Sequence, residues 1–357
     1  MAKVCEPDFT SVVSQRVSLP YREEPYQKFS FSDPMLKDYS VIAIEDSLST
    51  EAKRLTTFVA RYPRYIHSEL LTHRVFSKNA SSSRARSVQV TLREVMEDPV
   101  IPLFTINRAG MTGEFSPPAV REKQIAGWLL ARNKAVASAL SLLVGPEVLH
   151  HTSDSQVARN YEKILEGYYE NHYDKEGGHI GGLSTHKQVT NRLLESFLHM
   201  EIVLTSSYWD NFLRLRNHNE AQPEFHALAA LLGHALEEHT PARRSIHLPF
   251  AKTSSRPKKG AHWQEVYEAA LLSSAECAQI SYRDKSAQKT ATASLDLGKR
   301  LLTFGHYSPF EHQAFENEEY HRLAFENLKL EHRPSQLISN FDPAWIQFRS
   351  VISGRTL

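Results

Sequence analysis

The chain of 357 residues carries 42 Lys and Arg against 41 Asp and Glu, a formal charge of +1, with 41% hydrophobic and 23% charged residues. That composition suits one large or two ordinary core-forming domains, and so balanced a charge excludes a general polyanion binder. Any nucleotide site must come from local clustering, and no nucleic-acid partner is expected.

In chain order, residues 1–38 are polar and hold Pro20, Pro25 and Pro34, which predicts an N-terminal extension wrapping the surface. Ser40–Ile44 and Arg54–Ala60 read as strands by their β-branched and aromatic content. Pro63 opens a predicted helix with Ile66, Leu70 and Leu71 on its face, running to about Ser77, followed by a Ser-rich loop over Ser77–Ser87. Thr91 and Glu94 read as a capping box, and Ser116-Pro117 starts a long helix ending before Gly145-Pro146. GGHIGG (Gly177–Gly182) reads as a mobile loop or turn. Helices are predicted over Thr185–His199, Ser207–His218, Gln222–His239, Trp263–Cys277 and Thr290–Phe304, with a basic connector at Lys252–Gly260. The pattern is helix-dominated with no βαβ alternation, so the expected fold class is α+β with a small mixed or antiparallel sheet.

No apolar run approaches the roughly 18 residues of a membrane helix, and the N-terminus lacks the apolar core of a signal peptide. Cys5 and Cys277 are too few for a disulfide framework or a four-thiolate zinc site, so a cytoplasmic protein without a membrane partner is expected. P-loop, Gly-x-Gly-x-x-Gly, His-Glu-x-x-His, Cys-x-x-Cys and Gly-x-Ser-x-Gly motifs are absent.

Four stretches can carry chemistry. Thr72–Arg86 (THRVFSKNASSSRAR) lies in a segment with no Asp or Glu from Leu70 to Arg93, where guanidinium groups and hydroxyls suit a phosphate. It also reads as a solvated loop. His186–Phe197 (HKQVTNRLLESF) is the second. Tyr208–His226 sets Asn211, Arg214 and Arg216 beside Trp209, Phe212 and Leu213, as an anion clamp or as a packed helix with its cations in water. Ser274–Arg283 and Gly305–Phe315 (GHYSPFEHQAF) form the fourth, and the spacing of His306, Glu311 and His312 fits no standard zinc pattern, so no metal is expected.

Together these stretches resemble the flavin-dependent thymidylate synthases. The family signature R-H-R-x-x-S-x-N-E-x-S-x-R-Y is matched by His73, Arg74, Ser77, Asn79, Ser82 and Arg84, whereas Thr72, Ala80 and Ala85 depart from it. The lead-in FVARYPRYIHSELL resembles the family's strand–Pro–helix. GHYSPFEH is similar to G-H-x-[ST]-P-F-E-H, AQISYR to A-R-V-S-Y, and NFLRLRNHNEAQPE to N-F-L-x-L-R-x-x-x-x-A-Q-x-E. The matches cover about a third of the chain. In the ordinary family order the A-R-V-S-Y and S-P-F-E-H blocks precede the signature, but here they lie near the C-terminus. The chain therefore looks like a longer, circularly permuted member of the kind associated with phage genomes, a rearrangement that exposed termini tolerate.

The resemblance implies a single catalytic domain over 39–357, with its signature block at 58–88, nucleotide and flavin helices at 186–238 and the permuted block at 263–315. It implies FAD as cofactor, NADPH and methylenetetrahydrofolate as co-substrates, and a homotetramer whose sites are shared between subunits. His73, Arg74, Asn211, Ser281 and Ser308 would contact FAD, with His306 close to the flavin. Ser82, Arg84 and Arg192 would hold the nucleotide phosphate. Glu69 would lie near the base, and Arg216 against the pyrimidine. Thr72 replaces a cation, Ala80 removes a carboxylate, and Glu220 stands where a flavin-stacking His is often found.

The implied reaction is reductive methylation of dUMP at C5. Neither cysteine lies in an electropositive nucleophile setting, which agrees with activation by a guanidinium rather than by a thiolate. Other readings stay open: a flavoenzyme methylating or hydroxymethylating another pyrimidine nucleotide such as dCMP, a nucleic-acid binder using Thr72–Arg93, and a metallohydrolase built on the histidines.

Overall fold

The computed structural model describes residues 6–18, 25–109, 113–149, 153–172, 181–252, 256–258, 260–280, 290–326 and 340–352. Its strands are β1 (Val12–Val17), β2 (Tyr26–Phe31), β3 (Ser40–Leu48), β4 (Arg54–Pro63), β5 (Ser77–Ala80), β6 (Thr105–Ile106), β7 (Glu114–Phe115), β8 (His199–Ser206), β9 (Ala242–Arg243), β10 (Ile246–His247), β11 (Ala314–Glu316) and β12 (Trp345–Gln347). Its helices are α1 (His67–Leu71), α2 (Val88–Glu97), α3 (Pro118–Val144), α4 (Asp154–Arg159), α5 (Tyr161–His172), α6 (Lys187–Thr190), α7 (Asp210–Arg216), α8 (Pro223–Glu238), α9 (Trp263–Gln279), α10 (Ala291–Thr303), α11 (Asn317–Glu326) and α12 (Phe348–Ile352). The main sheet runs β1-β2-β3-β4-β8-β5 with antiparallel neighbours, and β9 adds in parallel to β3. The class is α+β, as the sequence predicts.

Period-2 alternation in β4 and β8 divides the sheet into two unlike faces. Phe58, Ala60, Tyr62, Ile202 and Leu204 point to one side, where Phe225, Leu228, Leu231 and Leu232 of α8 cover them. Thr57 pairs with Thr205, and Thr205 with Ser77, so a row of hydroxyls crosses the other face. That face meets Cys277 of α9 and Phe250 through Val59 and Val203. The segment from Ile246 to Ile352 has a cluster of its own around Phe315 and Phe348, and α2, α3, α4 and α5 share another through Leu92, Leu140 and Leu165.

Several predicted elements change. Residues 12–17 and 26–31, read as part of a surface wrap, are the first two strands of the main sheet. Phe29 is fully buried and Phe31 nearly so, because the two aromatics fall one period apart among polar neighbours that mask them. The helix expected from Pro63 to Ser77 is a 3-10 turn plus the short α1, since β4 runs through Pro63 itself. The expected Ser-rich loop begins as strand β5, whose main chain pairs with β8. The cap of α2 is Ser87, whose Oγ accepts from Val90 N at 3.2 Å, while Thr91 donates back to the Ser87 carbonyl at 2.9 Å and forms no capping box. The helix expected over Thr185–His199 breaks into α6 and a 3-10 segment (Asn191–Phe197), and β8 follows unheralded. Its run Ile202, Val203, Leu204 is apolar on both sides because both faces of the sheet are covered, so no alternation marks it. GGHIGG lies outside the described residues except for Gly181 and Gly182.

Two histidines on the hydroxyl face are fully buried. Burial, the largest cause, pulls His247 down to about 4 and His312 down to about 3. The unfolded chain protonates these rings below about pH 6.5 while the folded chain does not, so folding stability falls as pH drops through that window. The gradient is at most about 1.4 kcal/mol per pH unit per ring. Urea denaturation at pH 7.0, 6.0 and 5.0 should show the midpoint falling stepwise, with a shallower fall in His312→Gln. A pH-independent midpoint over this range contradicts the neutral, buried state of the rings.

Candidate functional site

α1 ends at Leu71, where the Thr72 hydroxyl donates to the Glu69 carbonyl at 2.6 Å and turns the chain. His73 is buried in that turn, its ring edge-on to Phe212 with 4.9 Å between centroids. Arg216, on the last turn of α7, donates from Nε to His73 Nε2 at 3.2 Å and lays its guanidinium over Phe225 at 4.9 Å. Lys78 donates to the His73 carbonyl at 2.6 Å. Burial first, then the charges of Arg216 and Lys78, lower the His73 pKa. His73 is therefore neutral, with its proton on Nδ1 and Nε2 accepting from Arg216. Burial also lowers the Lys78 pKa.

Asn79 of β5 joins the signature to the distant C-terminal block. Its Nδ2 donates to the Cys277 carbonyl at 2.9 Å, and its Oδ1 accepts from the Ser308 hydroxyl at 3.2 Å. Ser308 starts a 3-10 turn (Ser308–Glu311) that is reached through Gly305, whose φ of 71° only glycine adopts without strain. His306 beside it is exposed. Glu311 pairs with Arg349, and His312 Nδ1 lies 2.8 Å from the Thr205 hydroxyl, so His306, Glu311 and His312 do not converge as metal ligands would.

The loop that carries Ser82 and Arg84 is held from below by buried Asn191. Its Nδ2 donates to the carbonyls of Ser83 at 2.8 Å and Arg86 at 3.1 Å. Ser82, Arg84 and the neighbouring Arg192 are exposed on the joined segments. Arg86 is committed to Glu94, and Arg192 has only Glu195 at 3.7 Å. Among the described residues the side chains of Arg74 and Arg84 have no acidic partner.

The structure thus brings together His73 with Arg216, Ser308 with the signature strand, and Ser82 and Arg84 with the segment of Arg192. It does not link Glu69, Arg74, Asn211 or His306 to these groups by a hydrogen bond within one chain. Glu69 accepts from the Ser68 hydroxyl at 2.8 Å, and Asn211 from Arg214 at 2.9 Å. Glu220 is exposed, its backbone N–H bonded to His218 Nδ1 at 3.2 Å. Ser281 lies outside the described residues.

Sequence reading missed the joints: Asn191, Asn79 as a bridge, and Phe212 and Phe225 as the walls around His73 and Arg216. For Asn191 the available signal was a polar residue at the head of the apolar stretch NRLLESF. It also missed a cleft of about 740 Å³ on another face of α8, lined by Phe9, Phe115, Asn217, His226, His234 and Glu237 and by none of the candidate residues. Among the described residues one group could offer three ligand atoms to a metal: Asp38, Asp98 and buried His199. There Asp98 is already bonded to Arg61 at 2.6 Å and Lys37 at 3.3 Å.

No protein-family model matches the chain, and no curated protein matches it. Among solved structures it is similar to the UMP/dUMP methylase PolB from Streptomyces cacaoi, in complexes with 5-Br UMP and 5-Br dUMP. Identity is 13% and 15%, over 56% of this chain and 89% and 90% of those chains, with a TM-score of 0.37 in each case. No described helix is long and apolar enough to cross a membrane.

The Asn191 clasp has a direct consequence. Asn191→Ala removes two bonds to buried carbonyls and should cost about 1–3 kcal/mol. Limited trypsin digestion should then cut after Arg84 or Arg86 much faster than in the wild type, with urea denaturation reporting the loss. An unchanged cutting rate at these sites means that Asn191 does not hold the loop.

Proposed function

We propose that the chain is a flavin-dependent enzyme that methylates dUMP reductively at C5 to give dTMP. Its cofactor would be FAD, with methylenetetrahydrofolate and NADPH as co-substrates, acting in a homotetramer whose subunits share their sites. One observation carries the reading. Three motif blocks, far apart in sequence, meet through Arg216 on His73 and Ser308 on Asn79, both at 3.2 Å.

The donor set fits two phosphorylated ligands. In a chain with a net charge of only +1, the guanidinium groups of Arg74 and Arg84 are left uncompensated among the described residues, and that of Arg216 faces a neutral ring. Such groups match phosphate oxygens bidentately. Ser82, Arg84 and Arg192 would hold the nucleotide phosphate. Arg74, His73, Asn211 and Ser308 would border the flavin, with His306 nearby.

FAD, when bound, supplies the redox chemistry that no protein side chain can perform. The protein must activate C5, a weak nucleophile. Cys277 cannot do so by attack, because burial raises its thiol pKa well above normal and leaves it protonated. Arg216 would instead stabilise charge developing on the O4/N3 edge of the pyrimidine. The His73 contact and the Phe225 face fix the guanidinium plane, so little reorganisation is needed when the charge appears.

A second reading rests on Glu69. Its exposed carboxylate, beyond the bond from Ser68, has lone pairs left to accept from an exocyclic amine, which dCMP has and dUMP lacks, and Ala80 stands where the resembled family has a carboxylate. Parallel turnover of the two nucleotides separates the readings, since the first requires dUMP to be the better substrate.

Arg216→Ala should lower kcat by about 100-fold or more. Arg84→Ala should instead raise KM for the nucleotide by about 10-fold or more, the loss of a charge-assisted pair. Near wild-type turnover by the first variant, or an unchanged nucleotide KM in the second, removes that residue from its assigned role.

A further inference from the structure

A continuous polar chain runs through the buried hydroxyl face of the sheet. Ser47 Oγ lies 3.4 Å from Glu45 Oε1 and 2.8 Å from His247 Nδ1. His247 Nε2 lies 2.8 Å from Thr57 Oγ1, and Thr57 Oγ1 lies 2.7 Å from Thr205 Oγ1. Thr205 Oγ1 in turn lies 2.8 Å from His312 Nδ1. All of these side chains are buried, and among the described residues His312 Nε2 has no hydrogen-bond partner. The chain therefore links Glu45 to the end of the 3-10 turn that carries Ser308.

Its polarity follows from its two ends. Glu45 is a carboxylate: burial opposes the charge, but Arg256 and Arg244 hold its pKa below the usual range, with Arg256 donating at 3.0 and 2.7 Å. A carboxylate only accepts, so Ser47 donates to it and must accept from His247 Nδ1–H. His247 Nε2 then accepts from Thr57, Thr57 from Thr205, and Thr205 from His312 Nδ1–H. The opposite polarity would leave a buried N–H on His312 without a partner and Glu45 without the Ser47 proton. An orphaned buried N–H is rarer and costlier than an unfilled lone pair.

We infer that Ser47, His247, Thr57, Thr205 and His312 form a proton relay anchored on Glu45, which presents His312 Nε2 as a bare base at the end of the 3-10 turn that carries Ser308. Its proton source is an N–H or O–H group, and Nε2 is enclosed in the folded chain. The step balances internally. One proton adds to His312 Nε2, and the Nδ1 proton passes to Thr205. Thr205 gives its own to Thr57, Thr57 to His247 Nε2, His247 Nδ1 to Ser47, and Ser47 to Glu45. Glu45 ends protonated, and no imidazolium remains in the core. Glu45 borders a cleft of about 210 Å³ with Arg16 and His239, which connects that end to the surface. The use of the relay in turnover rests on the proposed methyl transfer, whereas its polarity does not.

The test is NMR of the full-length protein labelled with ¹⁵N-histidine, with the two rings assigned through His247→Gln and His312→Gln. Both rings should carry their proton on Nδ1 at pH 7. A proton on Nε2 of either ring overturns the inference. Glu45→Gln, which can donate where Glu45 cannot, should shift His312 towards the Nε2–H form; an unchanged ring means that Glu45 does not anchor the chain. Should that variant fail to fold, Thr205→Val interrupts the chain and should release the His312 tautomer while leaving His247 unchanged, and a locked His312 is again the overturning result. In turnover, Thr205→Val should lower kcat by about 100-fold at unchanged nucleotide KM. An unchanged kcat removes the transfer role. Wild-type protein that turns over no pyrimidine nucleotide would refute the methyl-transfer reading and leave the ring signals as predicted here.

Discussion

The pairing of β4 with β8 and of β8 with β5 is the constraint on which the rest depends. This register sets Thr57, Thr205 and Ser77 in one row and Phe58 and Leu204 on the opposite face. A slip by one residue would turn Thr57, Thr205 and Ser77 towards the α8 core and Phe58 and Leu204 against the C-terminal segment. Burial on both faces penalises that slip, at about 25 cal/mol for each Å² of apolar surface left wet. The same register sets β5 beside the strand that leads into α7, and so places His73, at the head of β5, against Arg216.

Charge is sorted in a consistent way around this frame. Arginines that stitch the fold together are neutralised: Arg54 by Asp46, Arg64 by Glu195, Arg86 by Glu94, and Arg256 by Glu45. Arg74, Arg84 and Arg216 are left without carboxylates among the described residues. Uncompensated guanidinium groups are tolerated at the surface, but Arg216 is half-buried against Phe225 and His73. A cation kept in that setting beside a neutral acceptor is what the proposed function requires of a group that meets negative charge from a ligand.

The sequence pointed to residues that the fold brings together more readily than it showed the strands that carry them. The motif blocks pointed to His73, Arg216 and Ser308 through their resemblance to a family pattern, since residue types alone also allowed a solvated loop or a packed helix. Asn191, and the bridging role of Asn79, escaped notice, since a polar residue holding a backbone carbonyl looks the same in sequence as one in water. The helices from Pro223 and Trp263 were legible through their periodicity and early Pro or aromatic residues. Strand β8 was not, because burial on both sides erases alternation. Strand β2 was not, because Gln27, Lys28 and Ser30 dilute its aromatic face. The histidine–threonine chain was invisible, since Ser47, Thr57, Thr205, His247 and His312 come together only when two sheets meet.

The central claim, that the gathered blocks hold a flavin and a pyrimidine nucleotide together, is most directly tested by the absorption spectrum of the purified protein during titration with FAD and then with dUMP. The account predicts a saturable, yellow complex whose flavin bands shift again when the nucleotide is added. A protein that leaves the spectrum of free FAD unchanged at every concentration, with or without dUMP, contradicts it.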